Sequence, residues 1–386
     1  MLVTPQLPLD VYEDIKQTTR RFAQEVVKPR AEQLDRDSAF PSDIYKQMGE
    51  LGLLGITAPE EHGGIGLDTL SYAIVMEELS RGYASIADQC GLVELITFLL
   101  SKYGNQEQQD RLFPQVLTAE KFVAYCITEA EAGSDVSNIR TTATKTDQGW
   151  LLNGEKIWIH NAPVADYAFV LARTDLDAGH RGMSIFIVDC ALEGVTKAPK
   201  EEKMGQRASQ VGSLLFDNVQ LDQNALLGEE GRGFYMMMSA LDKGRVGIAA
   251  LATGIAQAGL EASVEFSQTR KQFGKPISDN QGLQWMMADM AKEIAAARAL
   301  VHQAAMLLDA GKPATKACSI AKCYAGDTAV AQSANAAQIH GGGGFIRGVE
   351  AERLYRDAKI TQIYEGTNQI QRTIIARELL KNGAES

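Results

Sequence analysis

Residues 357 to 372, near the C-terminal end of the sequence, read DAKITQIYEGTNQIQR. Thr367 predicts a helix start, because a threonine oxygen accepts hydrogen bonds from the free amides of a first turn. Glu365 would then lie in a loop just before that helix, with few charged neighbours upstream. Withdrawal from water raises the pKa of such a carboxylate and suits it to act as a general base. The simpler interpretation is an acid that stabilises the helix dipole, and the local pattern alone favours it.

Four further motifs precede this segment in the chain. They are YCITE at 125–129 followed by AGSD at 132–135, WIHN at 158–161, RKQFG at 270–274 and QIHGG at 338–342. Together the five motifs resemble those of the acyl-CoA dehydrogenase family, in the family's order and over nearly the whole chain. The resemblance implies that Glu365, in its Tyr-Glu-Gly-Thr run, removes the α-proton of an acyl-CoA substrate.

The composition is that of an acidic protein with a large core. The 386 residues are 45% hydrophobic, the formal net charge is −11 and the pI is about 5.1. This charge argues against nucleic acid or an anionic membrane surface as the main partner. No apolar run of about 18 residues predicts a membrane span, and no secretory signal is visible near residue 1.

The cysteines and histidines show no metal-site spacing. The five cysteines are irregularly spaced, which is typical of reduced thiols, so we expect a cytoplasmic protein. The five histidines are scattered and form no HExxH pattern. We therefore expect no metal.

The hydrophobic periodicity divides the chain into three parts. It is helical from about residue 10 to 120, becomes β-rich near 123 and is helical again after about 233. We expect a mainly α fold with a central β domain. Its parts are an N-terminal helical domain (1–122), a middle β-barrel-like domain (123–232) and a C-terminal four-helix bundle domain (233–386). The resemblance implies the same three-domain arrangement.

The same patterns predict individual elements. Asn153 and Gly154 predict a tight turn between two short strands within 149–159. Further strands are predicted at 167–172, 183–188 and 211–221. Helices are predicted at 11–34, 69–81, 249–269, 283–310, 315–339 and 368–380, with a loop at 57–64.

No GxGxxG fingerprint follows a predicted strand, so FAD would not be held in the common dinucleotide mode. The resemblance implies a flavin site shared between subunits. Its expected contacts are Tyr125, Ile127, Thr128, Gly133, Ser134, Trp158, Ile159, His160, Thr367 and Gln369 on one subunit, with Arg270, Gln272, Phe273, Gln281, Gln338, Ile339, Gly341 and Gly342 on its neighbour. On the residues alone, the glycine run at 341–344 is a flexible helix break, Trp158 a core residue and Arg270 a solvated charge.

Two positions depart from the family's pattern. His160 stands where the family usually has Thr or Ser, whose hydroxyl lies beside flavin N5. An imidazole could donate the same hydrogen bond or take a new acid–base role, and we favour the first. Ala130 and Glu131 replace Pro-Gly in the flavin loop, which affects the expected conformation of that loop.

The resemblance implies α,β-dehydrogenation of an acyl-CoA. It also implies that electrons pass to an electron-transferring flavoprotein and that the protein is a homotetramer. Expected substrate contacts are Ser134, Asp242, Arg245 and Gly366. Asp242 and Arg245 could equally form a routine helix ion pair. Some relatives place the base where this chain has Gly244, which leaves Glu365 as the candidate.

The acyl group is expected to be short or medium in length. Asp88 and Gln89 are polar where fatty-acyl enzymes are mostly apolar, which predicts a functionalised acyl chain unless Asp88 faces solvent. Alternatives are an acyl-CoA oxidase or a desulfinase on the same fold, or a scaffold or assembly protein without catalysis.

Overall fold

Apolar residues at helical spacing build six helices in the first part of the chain. The computed structural model describes residues 3 to 383. The helices are α1 (Leu9–Phe22), α2 (Ala31–Asp37), α3 (Ser42–Glu50), α4 (Thr69–Gly82), α5 (Ala84–Tyr103) and α6 (Gln106–Leu117). Two of them start at side-chain caps: Asp68 accepts from the Ser71 amide at 2.8 Å, and Asn105 forms a capping box with Gln108.

The middle part is a single eight-stranded sheet. Its strands are β1 (Val123–Cys126), β2 (Thr142–Thr146), β3 (Gly149–His160), β4 (Tyr167–Arg173), β5 (Met183–Asp189), β6 (Val195–Lys197), β7 (Val211–Leu221) and β8 (Leu226–Leu227). The order is β6-β7-β3-β2-β4-β5-β8, with β1 parallel to β4. Trp150 and Phe186 meet edge-on in its core, with ring centroids 5.1 Å apart.

The predicted turn at Asn153 and Gly154 is wrong. Both lie inside the long strand β3, whose register against β7 shifts at this point. Gly154 has a φ of 143°, and a Cβ there would lie 2.6 Å from Thr141 Oγ1, so glycine serves a close approach at a bulge. The hairpin turn lies earlier, between Thr146 and Gly149.

Long helices dominate the last part of the chain. They are α7 (Gly233–Thr269), α8 (Gln281–Asp309), α9 (Thr315–Ile339), α10 (Glu350–Ala358) and α11 (Asn368–Asn382), and a two-stranded hairpin of β9 (Lys271–Gln272) and β10 (Lys275–Pro276) joins α7 to α8. Helix α7 starts 16 residues before the predicted position 249. Its early turns contain three glycines, which lowered the helical signal there.

Helix α7 is the central element of the fold, because α4, α5, α8, α9 and α10 all pack on it. Two glycines permit that packing: a Cβ on Gly247 would lie 1.9 Å from Tyr72 Oη, and one on Gly254 would lie 1.9 Å from Ser80 Oγ. Helices α5 and α7 are long and apolar enough to cross a membrane, but most of their apolar surface is buried against other helices. The expected mainly α fold with a central sheet is confirmed.

Candidate active site

The loop before α11 gives Glu365 an unusual backbone. Thr367 Oγ1 accepts from the Ile370 amide at 3.2 Å, as the sequence predicted, and starts α11. Just before this cap, Glu365 has a φ of 54° and Gly366 a φ of 84°. Left-handed backbone at a glutamate is strained and requires support from the surrounding structure.

That support comes from α9 and α11. Lys322 Nζ donates to the Gly366 carbonyl at 2.8 Å. Gln371 Nε2 donates to the same carbonyl at 2.9 Å and to the Glu365 carbonyl at 3.2 Å. Asn368, at the start of α11, is tied to Lys322 at 3.0 Å and to the Cys323 carbonyl at 3.1 Å. The main chain around Glu365 is therefore held by side chains of two helices.

The Glu365 carboxyl group points into the protein. Its Oε2 is buried and has no hydrogen-bond partner among the described residues. A Cβ on Gly244 of α7 would lie 2.6 Å from this atom and 3.1 Å from Leu95 Cδ2. The absence of a side chain at Gly244 thus makes the space that the carboxyl group occupies. A dipole-stabilising surface acid, the simpler interpretation, does not fit this placement.

Burial raises the pKa of Glu365 to about 7. The positive charges of Arg245 and Lys322 act against this rise, and the negative charge of Asp88 adds to it. A carboxyl group that changes its protonation state near neutral pH suits general-base chemistry.

Arg245 links this site to the neighbouring helix. Its Nη1 donates to Asp242 Oδ1 at 2.6 Å, and Thr315 Oγ1 donates to Asp242 Oδ2 at 2.7 Å. The ion pair that the sequence allowed is therefore present. The Arg245 Nε is buried without a partner in the described structure, so one donor of this guanidinium is free for a ligand.

The loop after β1 and the end of β3 form an open face. Thr128 is half-buried, whereas Gly133 and Ser134 are exposed, and a Cβ on Gly133 would meet nothing within 4 Å. Trp158, with a φ of 53°, leaves 65% of its surface exposed, so it is not the core residue that the pattern alone indicated. An exposed indole beside a polar loop offers a stacking surface for an aromatic ring.

A buried ion pair fixes that loop to β3. Lys156, fully buried, donates to Glu129 Oε1 at 2.7 Å and to the Ile127 carbonyl at 2.9 Å. Glu129 also accepts from the main-chain amides of Arg140 and Thr141. The loop from 127 to 141 is thereby closed around one carboxylate, even though it lacks the family's Pro-Gly pair.

His160 forms a pair with Asp88 of α5. Its Nδ1 lies 3.3 Å from Asp88 Oδ2, which also accepts from Ser209 Oγ at 2.9 Å. Burial lowers the pKa of His160 although Asp88 opposes the change, so the ring is neutral near pH 7. The His160 Nε2 is buried and has no partner in the described structure, so it is available to a ligand as a donor or an acceptor, depending on which ring nitrogen carries the proton. The expectation that His160 donates as the family's hydroxyl does stays a prediction.

Several expected flavin contacts have their side chains elsewhere. Ile127, Ile159 and Ile339 are buried in apolar cores, and the Tyr125 hydroxyl donates to the Met237 carbonyl at 3.0 Å. For the three isoleucines only main-chain atoms remain for a ligand. Gln369 is exposed on the first turn of α11.

The remaining expected contacts lie far from Glu365. Arg270 is 26 residues after Gly244, and with 1.5 Å per residue the two ends of this stretch are about 39 Å apart. The residues near this far end are exposed: Arg270, Gln272, Phe273, Gln281, Gln338, Gly341 and Gly342. Within one chain they are too far from Glu365 to contact the same ligand. This separation is what a flavin site shared between two subunits predicts.

The sequence did not single out the residues that hold the site in place. Lys322, Gln371 and Lys156 stand in ordinary helical or strand patterns, and nothing local distinguishes a buried lysine from an exposed one. Asp88 and Gln89 were noticed for their polarity, and both are bound by the end of β3: Asn161 Nδ2 donates to Gln89 Oε1 at 2.9 Å. Within residues 3–383 no cluster of His, Cys, Asp or Glu could hold a metal ion.

Comparison with known proteins decides the family. Three acyl-CoA dehydrogenase domain profiles match the chain: the N-terminal domain at residues 10–120, the middle domain at 124–219 and the C-terminal domain at 231–380. The chain belongs to the acyl-CoA dehydrogenase family. It is therefore a flavin-dependent oxidoreductase that uses FAD.

Individual relatives cover nearly the whole chain. The mitochondrial short-chain specific acyl-CoA dehydrogenase of Rattus norvegicus is 41% identical over 382 residues, which are 98% of this chain and 92% of that protein. Butyryl-CoA dehydrogenase from Megasphaera elsdenii has a TM-score of 0.94 at 37% identity, covering 98% of this chain and 100% of that one. A chain solved in work on the electron-transferring flavoprotein of Acidaminococcus fermentans has a TM-score of 0.93 at 40% identity, covering 98% and 100%.

The residues present fit FAD. The exposed Trp158 offers a ring-stacking surface, and Cβ atoms on Gly341 and Gly342 would meet nothing within 4 Å, so the backbone there is open to a close ligand. Arg270 is also exposed and suits a pyrophosphate, because a guanidinium forms forked, charge-assisted bonds.

Proposed function

We propose that this protein is a short-chain acyl-CoA dehydrogenase in which Glu365 is the catalytic base. The observation that carries the proposal is the Glu365 carboxyl group, buried and unpaired at Oε2, with its pKa raised to about 7. The similarity to the short-chain and butyryl-CoA dehydrogenases supports the same substrate range.

Glu365 takes the α-proton of the bound thioester, and its raised pKa matches it to a base that works near neutral pH. Bound FAD supplies the acceptor for the hydride that leaves the β-carbon. We assign the main-chain amide of Glu365 as a donor to the thioester oxygen, where negative charge develops. The free Arg245 Nε and Ser134 are assigned to the CoA moiety.

The wall beyond Glu365 limits the acyl chain. Leu95 lies against Gly244, and one turn further along α7 the Tyr72 hydroxyl fills the space at Gly247. Behind them Lys243 Nζ pairs with Glu94 at 3.0 Å, and both are buried. A long acyl chain would have to displace these groups, so a short chain is favoured.

Asp88 and Gln89 give no reason to expect a functionalised substrate. The middle part of the chain satisfies both, through His160 and Ser209 for Asp88 and through Asn161 for Gln89. Neither side chain is left without a partner that a polar acyl group would have to supply. We propose an unbranched acyl group such as butyryl.

We also propose the electron acceptor, the assembly and the location of the protein. We propose that electrons leave to an electron-transferring flavoprotein, supported by the similarity to the chain from Acidaminococcus fermentans. We propose a homotetramer, supported by the distance between the two groups of flavin residues. The acidic composition, together with five cysteines that are all free and buried, supports a cytoplasmic location.

A substrate panel tests the proposal. Purified enzyme with FAD is mixed with butyryl-, octanoyl-, isobutyryl- and glutaryl-CoA, and kcat/KM is measured with the flavoprotein as acceptor. We expect butyryl-CoA to be the best substrate. Best turnover of octanoyl- or glutaryl-CoA would contradict the assigned pocket. Rapid reoxidation by oxygen would indicate an oxidase, and sulfite release would indicate a desulfinase.

A further inference from the structure

A buried lysine contacts the loop that carries Glu365. Lys322 lies near the middle of α9 and has no exposed surface. Its Nζ donates to the Gly366 carbonyl at 2.8 Å and to Asn368 Oδ1 at 3.0 Å. A buried ammonium is costly unless it is hydrogen-bonded and faces an opposite charge. Both of its protein partners are neutral oxygens of the catalytic loop.

Among the acidic groups near Lys322, Glu365 has the largest electrostatic effect on it. Burial lowers the pKa of Lys322 to about 8, and among the groups that counteract this Glu365 is the largest, ahead of Cys323 and Asp327, while Arg245 acts in the same direction as burial. The negative charge of Glu365 therefore favours the charged form of Lys322, although no direct hydrogen bond joins the two side chains.

We propose that Lys322 is a positioning residue for the catalytic base, which holds the Glu365–Gly366 main chain in its left-handed conformation and favours the ionised carboxylate. This proposal rests on the assignment of Glu365 as the base. Lys322 would then have two separable effects: its hydrogen bond fixes the Gly366 carbonyl, and its charge acts on the Glu365 carboxylate.

The hydrogen-bond effect follows from the loop geometry. The positive φ of 54° at Glu365 is unfavourable in an isolated chain, whereas Gly366 tolerates its φ of 84° because it has no Cβ. The Gly366 carbonyl accepts from both Lys322 and Gln371, so its direction is fixed from two sides. Without the lysine the peptide is held from the α11 side alone.

The charge effect follows from the groups that face Glu365. Arg245 on α7 and Lys322 on α9 lower the pKa of Glu365, and Asp88 on α5 raises it. The phenols near the carboxyl group are Tyr72 on α4, Tyr125 on β1 and Tyr364 in the same loop, and burial raises their pKa values, so they are uncharged. Loss of Lys322 leaves Arg245 as the remaining cation.

Two substitutions separate the effects. Lys322→Gln keeps a donor for the Gly366 carbonyl and removes the charge, whereas Lys322→Met removes both. The control is Asp327→Asn on the same helix: Asp327 accepts from Asn368, Gln362 and Arg372 and so holds the same loop, but it does not act on the pKa of Glu365.

The direct readout is a 13C NMR titration of the Glu365 carboxyl carbon in the FAD-loaded enzyme, together with the pH profile of kcat. Both Lys322 variants should raise the pKa of Glu365 by about 1 unit. At a pH well above that value the Gln variant should regain wild-type kcat, whereas the Met variant should stay about 10-fold lower. Asp327→Asn should lower the melting temperature without moving the titration.

An unchanged Glu365 titration in both variants would overturn the proposal, and so would equal shifts in Asp327→Asn. The titration does not depend on turnover, so it also separates this proposal from the assigned reaction. A wild-type enzyme that is inactive on every acyl-CoA would refute the assigned reaction, while the titration would still report on Lys322.

Discussion

The ionised form of Glu365 lowers the stability of the folded protein at neutral and alkaline pH. Its folded pKa of about 7 lies above its ordinary value of 4.5, because burial disfavours the charged form. The stabilisation that the protonated group provides is complete below about pH 4.5 and is lost as the pH rises through 7. A residue that destabilises its own fold in this way is typical of a functional site.

We therefore expect Glu365→Gln to stabilise the protein at alkaline pH. The variant and the wild type should have similar stability near pH 4.5, and above pH 7 the variant should be more stable by about 3 kcal/mol, which corresponds to the rise of the pKa from 4.5 to about 7. Denaturant unfolding of both proteins at several pH values measures this. A constant difference across the pH range would contradict the raised pKa.

Gly244 is predicted to matter for activity rather than for folding. In Gly244→Ala the new Cβ would lie 2.6 Å from Glu365 Oε2, the end of a flexible side chain, which can move. We expect little change in melting temperature and a fall of kcat/KM of about 10². Gly259→Ala on the same helix, where the nearest atom is Ala336 Cβ at 3.3 Å, is the control and should keep its activity. Equal activity in both variants would contradict the assigned contact.

At the level of single residues, the sequence predicted the Thr367 cap but not the side chains that hold the Glu365 loop, and the role of Glu365 as the base stays a proposal. The Thr367 cap follows from local chemistry, so it could be predicted. The contact between Glu365 and Gly244 joins positions 121 residues apart, and the pairing of His160 with Asp88 joins two parts of the fold. Neither contact follows from local patterns.

Strand β3 shows how one element carries a binding surface. Its bulges let Gly154 pass close to Thr141 and bring Trp158 to the surface with a positive φ. The sequence predicted strands here but placed a turn at Asn153 and Gly154. A glycine that avoids a clash and a glycine that makes a turn look alike without knowledge of the neighbouring strand.

The buried pair of Lys156 and Glu129 should be the main anchor of the flavin loop on β3. We expect Lys156→Met to lower the free energy of unfolding by about 3–5 kcal/mol, because it leaves a buried carboxylate without its cation. It should also weaken FAD binding. Lys145→Met is the control: Lys145 pairs with Glu230 at 3.5 Å, both are largely exposed, and its loss should cost less than about 1 kcal/mol. Equal losses in urea unfolding would contradict the anchoring role.

At the scale of the whole molecule, periodicity predicted the three-part architecture well. Runs of helical spacing at both ends and strand patterns between them are long enough to identify without contacts. The start of α7 was missed, since its glycines serve packing against α4 and the site rather than helix propensity. The sharing of FAD between subunits is implied by the family resemblance and stays a prediction, which the length of α7 supports.

Exposed aromatic side chains in the hairpin after α7, at the start of α8 and after α9 predict assembly. Phe273 is fully exposed, and Phe345 and Trp285 are exposed by 88% and 63%. Exposed aromatic residues in a group mark an interface. We expect Phe273→Asp to reduce the tetramer to smaller species and to release FAD, measured by light scattering and absorbance. Leu176→Asp, at an exposed apolar position in the middle part, should remain tetrameric. A tetrameric, yellow Phe273→Asp variant would place the interface elsewhere.

The most direct test of the central claim is anaerobic mixing of butyryl-CoA with the wild type and with Glu365→Gln. Both proteins should be yellow, because Glu365 is not among the residues assigned to hold FAD. We expect the absorbance of the oxidised flavin to fall rapidly when the wild type is mixed with butyryl-CoA. In the variant this rate should be at least about 10³-fold lower, since an amide cannot accept the α-proton. Bleaching of the variant at the wild-type rate would show that another group is the base.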